Sequence, residues 1–140
     1  MRDAGPGMGQ ATGLLLDWYD RHARAMPWRV PPADRKTGVR PSPYRVWLSE
    51  VMLQQTTVAA VIPHFTRWMR ELPTLGALAS ASRQRVYRLW EGLGYYRRAD
   101  NLRRAAQVLV AHHDSRFPRT FAEVRALPGI GRYTAGAICS

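Results

Sequence analysis

The run Leu127-Pro128-Gly129-Ile130-Gly131-Arg132-Tyr133-Thr134-Ala135-Gly136 leaves this chain few folds to adopt. A proline and two glycines one residue apart end one helix. The Ala-bearing stretch that follows begins another, so the chain must double back in a tight hairpin between two helices. The glycines permit positive φ and close backbone approach. N–H groups left free at the start of the second helix can then hold a phosphate. A hairpin of this kind grips a nucleic-acid backbone without reading its sequence.

The remainder of the chain agrees with a helical setting. Met1 to about Gln10 reads as a disordered lead-in, and 11–140 as the folded part. Leu14 to Ala25 has the pattern of a short amphipathic helix, with Leu15, Trp18 and Tyr19 opposite Asp17, Arg21 and Arg24, and it stops before Pro27. Residues 29–43 hold four prolines, one glycine and five charges, which describes a surface loop. Ser42 then serves as N-cap with Pro43 at the first helical position, and a helix runs to about Gln55. Further helices are expected over Val58–Glu71 (bent near Pro63), Leu75–Ala79, Arg83–Leu93, Arg97–His113, Phe121–Ala126 and from Arg132 onward. Thr120 and Glu123 form the capping box of the helix that starts at Phe121. No stretch alternates apolar and polar residues between hairpin turns. The fold class is therefore all-α: a helical bundle that ends just after its hairpin, without repeats or coiled-coil heptads.

Charge narrows the partner. Lysine and arginine number 21 against 10 acidic residues, giving a net charge of +11, and all the basic residues but Lys36 are arginine. A biased genome could explain the choice of arginine but not the twofold excess over acid. Arginine forks suit phosphate oxygens, and each phosphate neutralised releases counterions. Nucleic acid is the polyanion expected. At 46% apolar residues in a chain of 140, one domain with a real core is possible. The single cysteine, Cys139, excludes an internal disulfide framework and a Cys-rich metal site in these residues, and reads as a small buried residue of the last helix. With neither signal peptide nor membrane span in view, an intracellular, reduced location follows.

Three groups of side chains could carry chemistry. Glu50 lies one turn from Val46 and Trp47 on one side and from Leu53 and Gln54 on the other. A carboxylate among apolar groups resists ionisation, and a protonated Glu near neutral pH is what a general acid requires. Taken alone, its commoner role is an edge residue paired with an arginine. Gln54, Gln55 and Thr56 end the same helix with amides and a hydroxyl able to meet base edges, or to serve as an ordinary polar terminus. Gly92-Leu93-Gly94-Tyr95-Tyr96-Arg97-Arg98 presents two aromatics and then paired arginines on a glycine-flanked turn, materials of a loop that distorts DNA. Tyrosines covering the bundle beside solvated arginines would read the same way. His22, His64, His112 and His113 lack metal-ligand spacing and read as solvated helix-end residues.

Together and in this order, Pro27-Trp28-Arg29, Pro43 to Thr56 (PYRVWLSEVMLQQT), Leu89 to Asn101 (LWEGLGYYRRADN) and Leu127 to Gly136 (LPGIGRYTAG) resemble the MutY-type adenine DNA glycosylases of the helix-hairpin-helix superfamily, from about Leu14 onward. The related glycosylase/lyases of the endonuclease III type carry a Schiff-base lysine in the hairpin where this chain has Tyr133, and Lys36 lies in the Pro-rich loop. The resemblance therefore implies a monofunctional hydrolase that removes adenine opposite 8-oxoguanine or guanine in double-stranded DNA. It makes Glu50 the acid that protonates adenine at N7, with Tyr133 beside the reacting sugar. Gln55 and Thr56 approach the opposite base, Gln55 entering the space the extruded base leaves; Gln54 also binds DNA, Tyr95 wedges into the stack, and Gly129 and Gly131 form the phosphate-binding hairpin at 127–136. Trp28, Arg29 and Leu53 line the adenine pocket.

The resemblance also implies features these residues lack. In the family an aspartate follows the hairpin by somewhat under twenty residues, then four cysteines that hold a [4Fe–4S] cluster, then a C-terminal domain. The chain is thus expected to be the N-terminal piece of a longer enzyme, with little turnover alone, no cluster of its own and no other metal. A monomer in the cytoplasm or nucleoid is expected. Two other readings remain: a non-catalytic helix-hairpin-helix DNA-binding remnant, and a thymine-mismatch glycosylase, some of which share the hairpin tyrosine.

Overall fold

Proline needs no donor at the first position of a helix, and Ser42-Pro43 begins the first helix as expected, with Ser42 in extended conformation. The computed structural model describes residues 42–140. The lead-in, the helix expected over Leu14–Ala25, and the Pro-rich loop as far as Pro41, with Trp28, Arg29 and Lys36, lie outside the described residues. Those described form helices and turns without a strand: α1 (Pro43–Leu53), α2 (Val58–Glu71), α3 (Leu75–Ser80), α4 (Arg83–Trp90), α5 (Arg97–His112), α6 (Phe121–Arg125) and α7 (Arg132–Cys139).

Side-chain caps mark where several of these start. The hydroxyls of Thr57, Thr74, Ser82 and Thr120 each accept a backbone N–H from three residues on, as N-caps do. At α6 the capping box takes a variant form: the Thr120 hydroxyl lies 2.7 Å from the Glu123 carboxylate, so the acid receives the hydroxyl proton. Two helices stop two or three residues earlier than the sequence pattern suggests. α1 ends at Leu53 rather than Gln55, and α4 at Trp90 rather than Leu93, where Glu91 turns to ψ 129° and Gly92 to φ 98°. α2 runs through Pro63, which cannot donate to the carbonyl one turn earlier.

The core is built on tryptophan. Trp47, Trp68 and Trp90 are fully buried with Phe65, Leu48, Met52, Leu72, Leu78, Leu102 and Leu109. Trp68 and Trp90 meet edge to face at 6.0 Å, joining α2 to α4. At about 25 cal/mol per Å² of apolar surface, each buried indole contributes several kcal/mol. The Trp68 indole N–H donates to the Tyr44 hydroxyl at 2.9 Å, which donates to the Leu72 carbonyl at 2.7 Å. No polar atom in this relay is left unpaired. Burial pushes the Tyr44 phenol far above its ordinary range, the Trp68 hydrogen bond opposing.

α3 packs on α5, α4 on α5, and α1 on α2 and α7, while α6 and α7 form the two arms of the hairpin. No described helix is long and apolar enough to cross a membrane. Cys139, expected to be buried, is exposed: α7 turns Thr134 and Ala135 inward, and its last residue faces out. The apolar stretches near 108–110 and 135–139 are partly covered, with Leu109 and Ala135 buried and Val110 exposed.

Candidate nucleic-acid and catalytic site

Packing of α7 on α1 brings the hairpin against the helix that carries Glu50. A cavity of about 20 Å³ marks the junction, lined by Trp47, Val51 and Gln54 of the α1 region, Arg98 and Asn101 of α5, and Pro128 and Gly129 of the hairpin. Three stretches singled out in the sequence thus meet at one place. A larger groove along α2 and α4, bordered by Arg67, Arg85, Arg88 and Glu71, holds none of the sequence-predicted site residues.

Glu50 is half-buried in the last turns of α1. The ion pairs among the described residues are Arg83–Asp100 and Arg85–Glu71, and Glu50 has no hydrogen bond or ion pair with any described residue. The edge-pairing role is thus unmet there. Leu53 is half-buried at the helix end; Gln54 and Gln55 are exposed and Thr56 half-buried in the turn that follows. Their amides are presented outward.

The hairpin uses its glycines unequally. Gly129 has φ 74°, and a Cβ there would sit 2.5 Å from Cβ of Asn101. Only glycine fits both the angle and the gap. Gly131 is different: at φ −90°, ψ −176° it is the extended N-cap of α7, and a Cβ would meet nothing within 4 Å. The reading of both glycines as positive-φ residues is therefore corrected for Gly131. Tyr133, in the first turn of α7, is 86% exposed, and the next two residues are buried.

The 92–98 turn is presented by a charged network beneath it. Tyr95 is 69% exposed and adopts φ 50°, a left-handed conformation unusual for a side chain of its size. Such strain concentrates at functional sites. Beside it Tyr96 packs edge to face on Tyr87 at 5.1 Å. The Tyr87 hydroxyl donates to Asp100 at 2.5 Å, and Asp100 also takes a hydrogen bond from Arg83 at 3.0 Å. Burial works against the Asp100 charge, yet the Arg83 and Tyr87 hydrogen bonds prevail and hold it below the usual carboxylate range. The same bond to Asp100 raises the Tyr87 phenol. Asp100 is a residue that sequence reasoning missed, since an acid in the first turn of a helix carries no mark of a tertiary partner.

The paired arginines do not both face solvent. Arg97 is exposed, but Arg98 turns inward. It donates to the Val51 carbonyl and, more loosely, to those of Leu93 at 3.3 Å and Gly94 at 3.4 Å. Its guanidinium lies over the Trp90 ring at 5.0 Å and near the Tyr95 ring at 6.0 Å. Burial pulls it below the usual guanidinium range, with Tyr95 opposing. His64 departs from the helix-end reading too: it sits mid-helix, its ring nitrogens 3.0 Å from the Ala60 carbonyl and 2.7 Å from that of Glu91.

Asp100 makes one prediction here. Its acidity is raised by folding, so its contribution is complete above the unfolded carboxylate pKa of about 3.9 and is lost as pH falls through the lower folded value. Stability, read as the urea midpoint, should therefore lose this contribution only below about pH 4, and Asp100→Asn should remove that part of the pH dependence.

A four-iron cluster needs four thiolates, and Cys139 is the one thiol in the sequence. Among the described residues no group of three or more His, Cys, Asp or Glu could hold a metal. These residues do not fit the cluster.

Residues 48–138 match the family model described as HhH-GPD superfamily base excision DNA repair protein. The adenine DNA glycosylase of Rattus norvegicus is 50% identical over 127 residues, which is 90% of this chain and 24% of that protein. The chain thus spans about a quarter of that relative's length. A trapped endonuclease III–DNA covalent intermediate shares the fold with a TM-score of 0.67 at 24% identity, over 73% of this chain and 48% of that one. A thermostable thymine-DNA glycosylase does so with a TM-score of 0.66 at 23% identity, over 70% of this chain and 46% of that one.

Proposed function

The chain belongs to the HhH-GPD superfamily of base excision DNA repair proteins, and from that membership we propose that it is the part of an adenine DNA glycosylase that carries the acid, the wedge and the phosphate-binding hairpin. The observation that carries this reading is the junction of α1, the start of α5 and the hairpin, in a chain 50% identical over 127 residues to a named adenine DNA glycosylase. The substrate is double-stranded DNA with adenine opposite 8-oxoguanine or guanine. The products are free adenine and an abasic site.

Adenine leaves a sugar poorly as an anion. In the proposed reaction the adenine is rotated out of the stack and Glu50 gives its proton to N7. The N9–C1′ bond breaks with its electron pair going to the base, water adds at C1′, and the proton that water loses restores the Glu50 carboxyl. Glu50 is half-buried and makes no hydrogen bond or ion pair among the described residues, which leaves its carboxyl free to meet the base. Tyr133, exposed beside the hairpin, is proposed to lie against the sugar, and Leu53 to contribute to the adenine pocket. Gln55 enters the space the base leaves, Gln54 and Thr56 flank it, and Tyr95 wedges the adjoining step. The N–H groups around Gly129 and Gly131 take a phosphate. No lysine stands in the hairpin, so the activity proposed is hydrolysis without a lyase step. The protein works as a monomer, where the chromosomal DNA lies. A [4Fe–4S] cluster of the whole enzyme lies outside the role of these residues.

The test is base release by the complete reading frame from duplexes carrying A:8-oxoguanine, A:G or G:T. Free adenine from the first two supports the reading. Thymine release from G:T shows a thymine-mismatch enzyme instead, and binding without release of any base leaves a DNA-binding module.

A further inference from the structure

One guanidinium joins two segments that the proposed function sends into DNA. Arg98 donates to the carbonyl of Val51, near the end of α1, and to those of Leu93 and Gly94 in the turn before Tyr95. The Val51 carbonyl also accepts the N–H of Gln54, so the cation sits on the last turn of α1 just where its amide-bearing end begins. A cation there meets the negative end of the helix and satisfies a terminal carbonyl. On the other side the Tyr95 ring lies 6.0 Å from the guanidinium and the Trp90 ring 5.0 Å. The Trp90 N–H fixes the same turn by donating to Gly94 at 2.8 Å. Arg98 also borders the cavity shared with Pro128 and Gly129.

We propose that Arg98 is a positioning residue that sets the Tyr95 wedge in register with the Gln54–Thr56 end of α1, and that it binds no phosphate itself. A planar fork is required because its donors must reach the α1 end and the turn at once. Lysine carries the charge on a single nitrogen and cannot span both. The register matters because the wedge and the gap-filling amide must enter one base stack together. An error in their spacing lowers discrimination for a mispair without lowering attraction to DNA in general. This role rests on the proposed contacts of Tyr95 and Gln55, while the bridge itself is a property of the free protein.

The test therefore has an arm without DNA. Arg98→Lys should raise amide exchange about tenfold both at residues 92–96 and at 53–56, leaving α2 and α3 as they were. Acceleration in one segment alone overturns the bridge. With DNA, the preference of Arg98→Lys for an A:G over an A:T duplex should fall about tenfold, with the slope of log K against log[salt] unchanged. In a Tyr95→Ala background the same substitution should bring no further loss. A slope smaller by about one in Arg98→Ala would show a phosphate contact and overturn the proposal. So would equal loss on matched and mismatched duplexes. A wild-type protein with no mismatch preference refutes the proposed function, and the exchange arm still decides the bridge.

Discussion

In the proposed reaction, replacing Glu50 by glutamine is expected to lower adenine release by about 10²- to 10⁴-fold, the range a single general acid supplies. The change is nearly isosteric and removes only the transferable proton. Glu50 has no hydrogen bond or ion pair among the described residues for the substitution to break. Stability and affinity for mismatched DNA should therefore stay close to wild type, so the loss falls on the chemical step. Single-turnover release measured beside duplex binding checks this. Equal losses in both would mean that Glu50 holds DNA rather than protonating the base. Full activity in Glu50→Gln would end the assignment.

Gly129→Ala is expected to have the largest effect on the fold. A side chain at φ 74° costs about 1–2 kcal/mol, and overpacking against a neighbour adds about 1–3 kcal/mol. The atom struck is Cβ of Asn101, at 2.5 Å, which is tied to the α5 backbone and cannot swing aside as a side-chain tip could. A loss of about 2–5 kcal/mol should appear in chemical denaturation, with DNA affinity falling as the hairpin distorts. Gly131→Ala provides the contrast. Its angles suit any residue and nothing lies within 4 Å, so stability should change by less than about 1 kcal/mol. Weaker DNA binding without a loss of stability in Gly131→Ala would support the proposed phosphate contact at this N-terminus. If the two variants destabilise alike, the unequal use of the glycines is wrong.

Much of the helical frame was legible because its signals are local. Ser42-Pro43, the Thr and Ser N-caps and Thr120 with Glu123 announce helix starts from neighbouring residues alone. The ends were harder. α4 breaks at Glu91 and not after Leu93, because Trp90 turns to donate to Gly94 and the turn folds beneath it. The site divides the same way. Glu50, Gln55, Tyr95 and the hairpin stand out by residue type and order. Arg98 did not, because Arg97-Arg98 reads as a pair of phosphate ligands until the fold turns one of them toward Val51. Asp100 likewise has meaning only through Tyr87 and Arg83, distant in sequence. Cys139 looked buried by composition, yet it is exposed at the last position of α7, one turn past the buried Ala135.

The Trp68–Trp90 pair has a practical consequence. Both indoles are shielded from solvent, and Trp90 alone has its N–H on the wedge turn and a guanidinium over its ring. Its emission should carry a signature of that turn's electrostatics, and the difference from Trp90→Phe separates it from the other four tryptophans. Followed by stopped flow, that difference signal tests whether the turn moves when DNA is added.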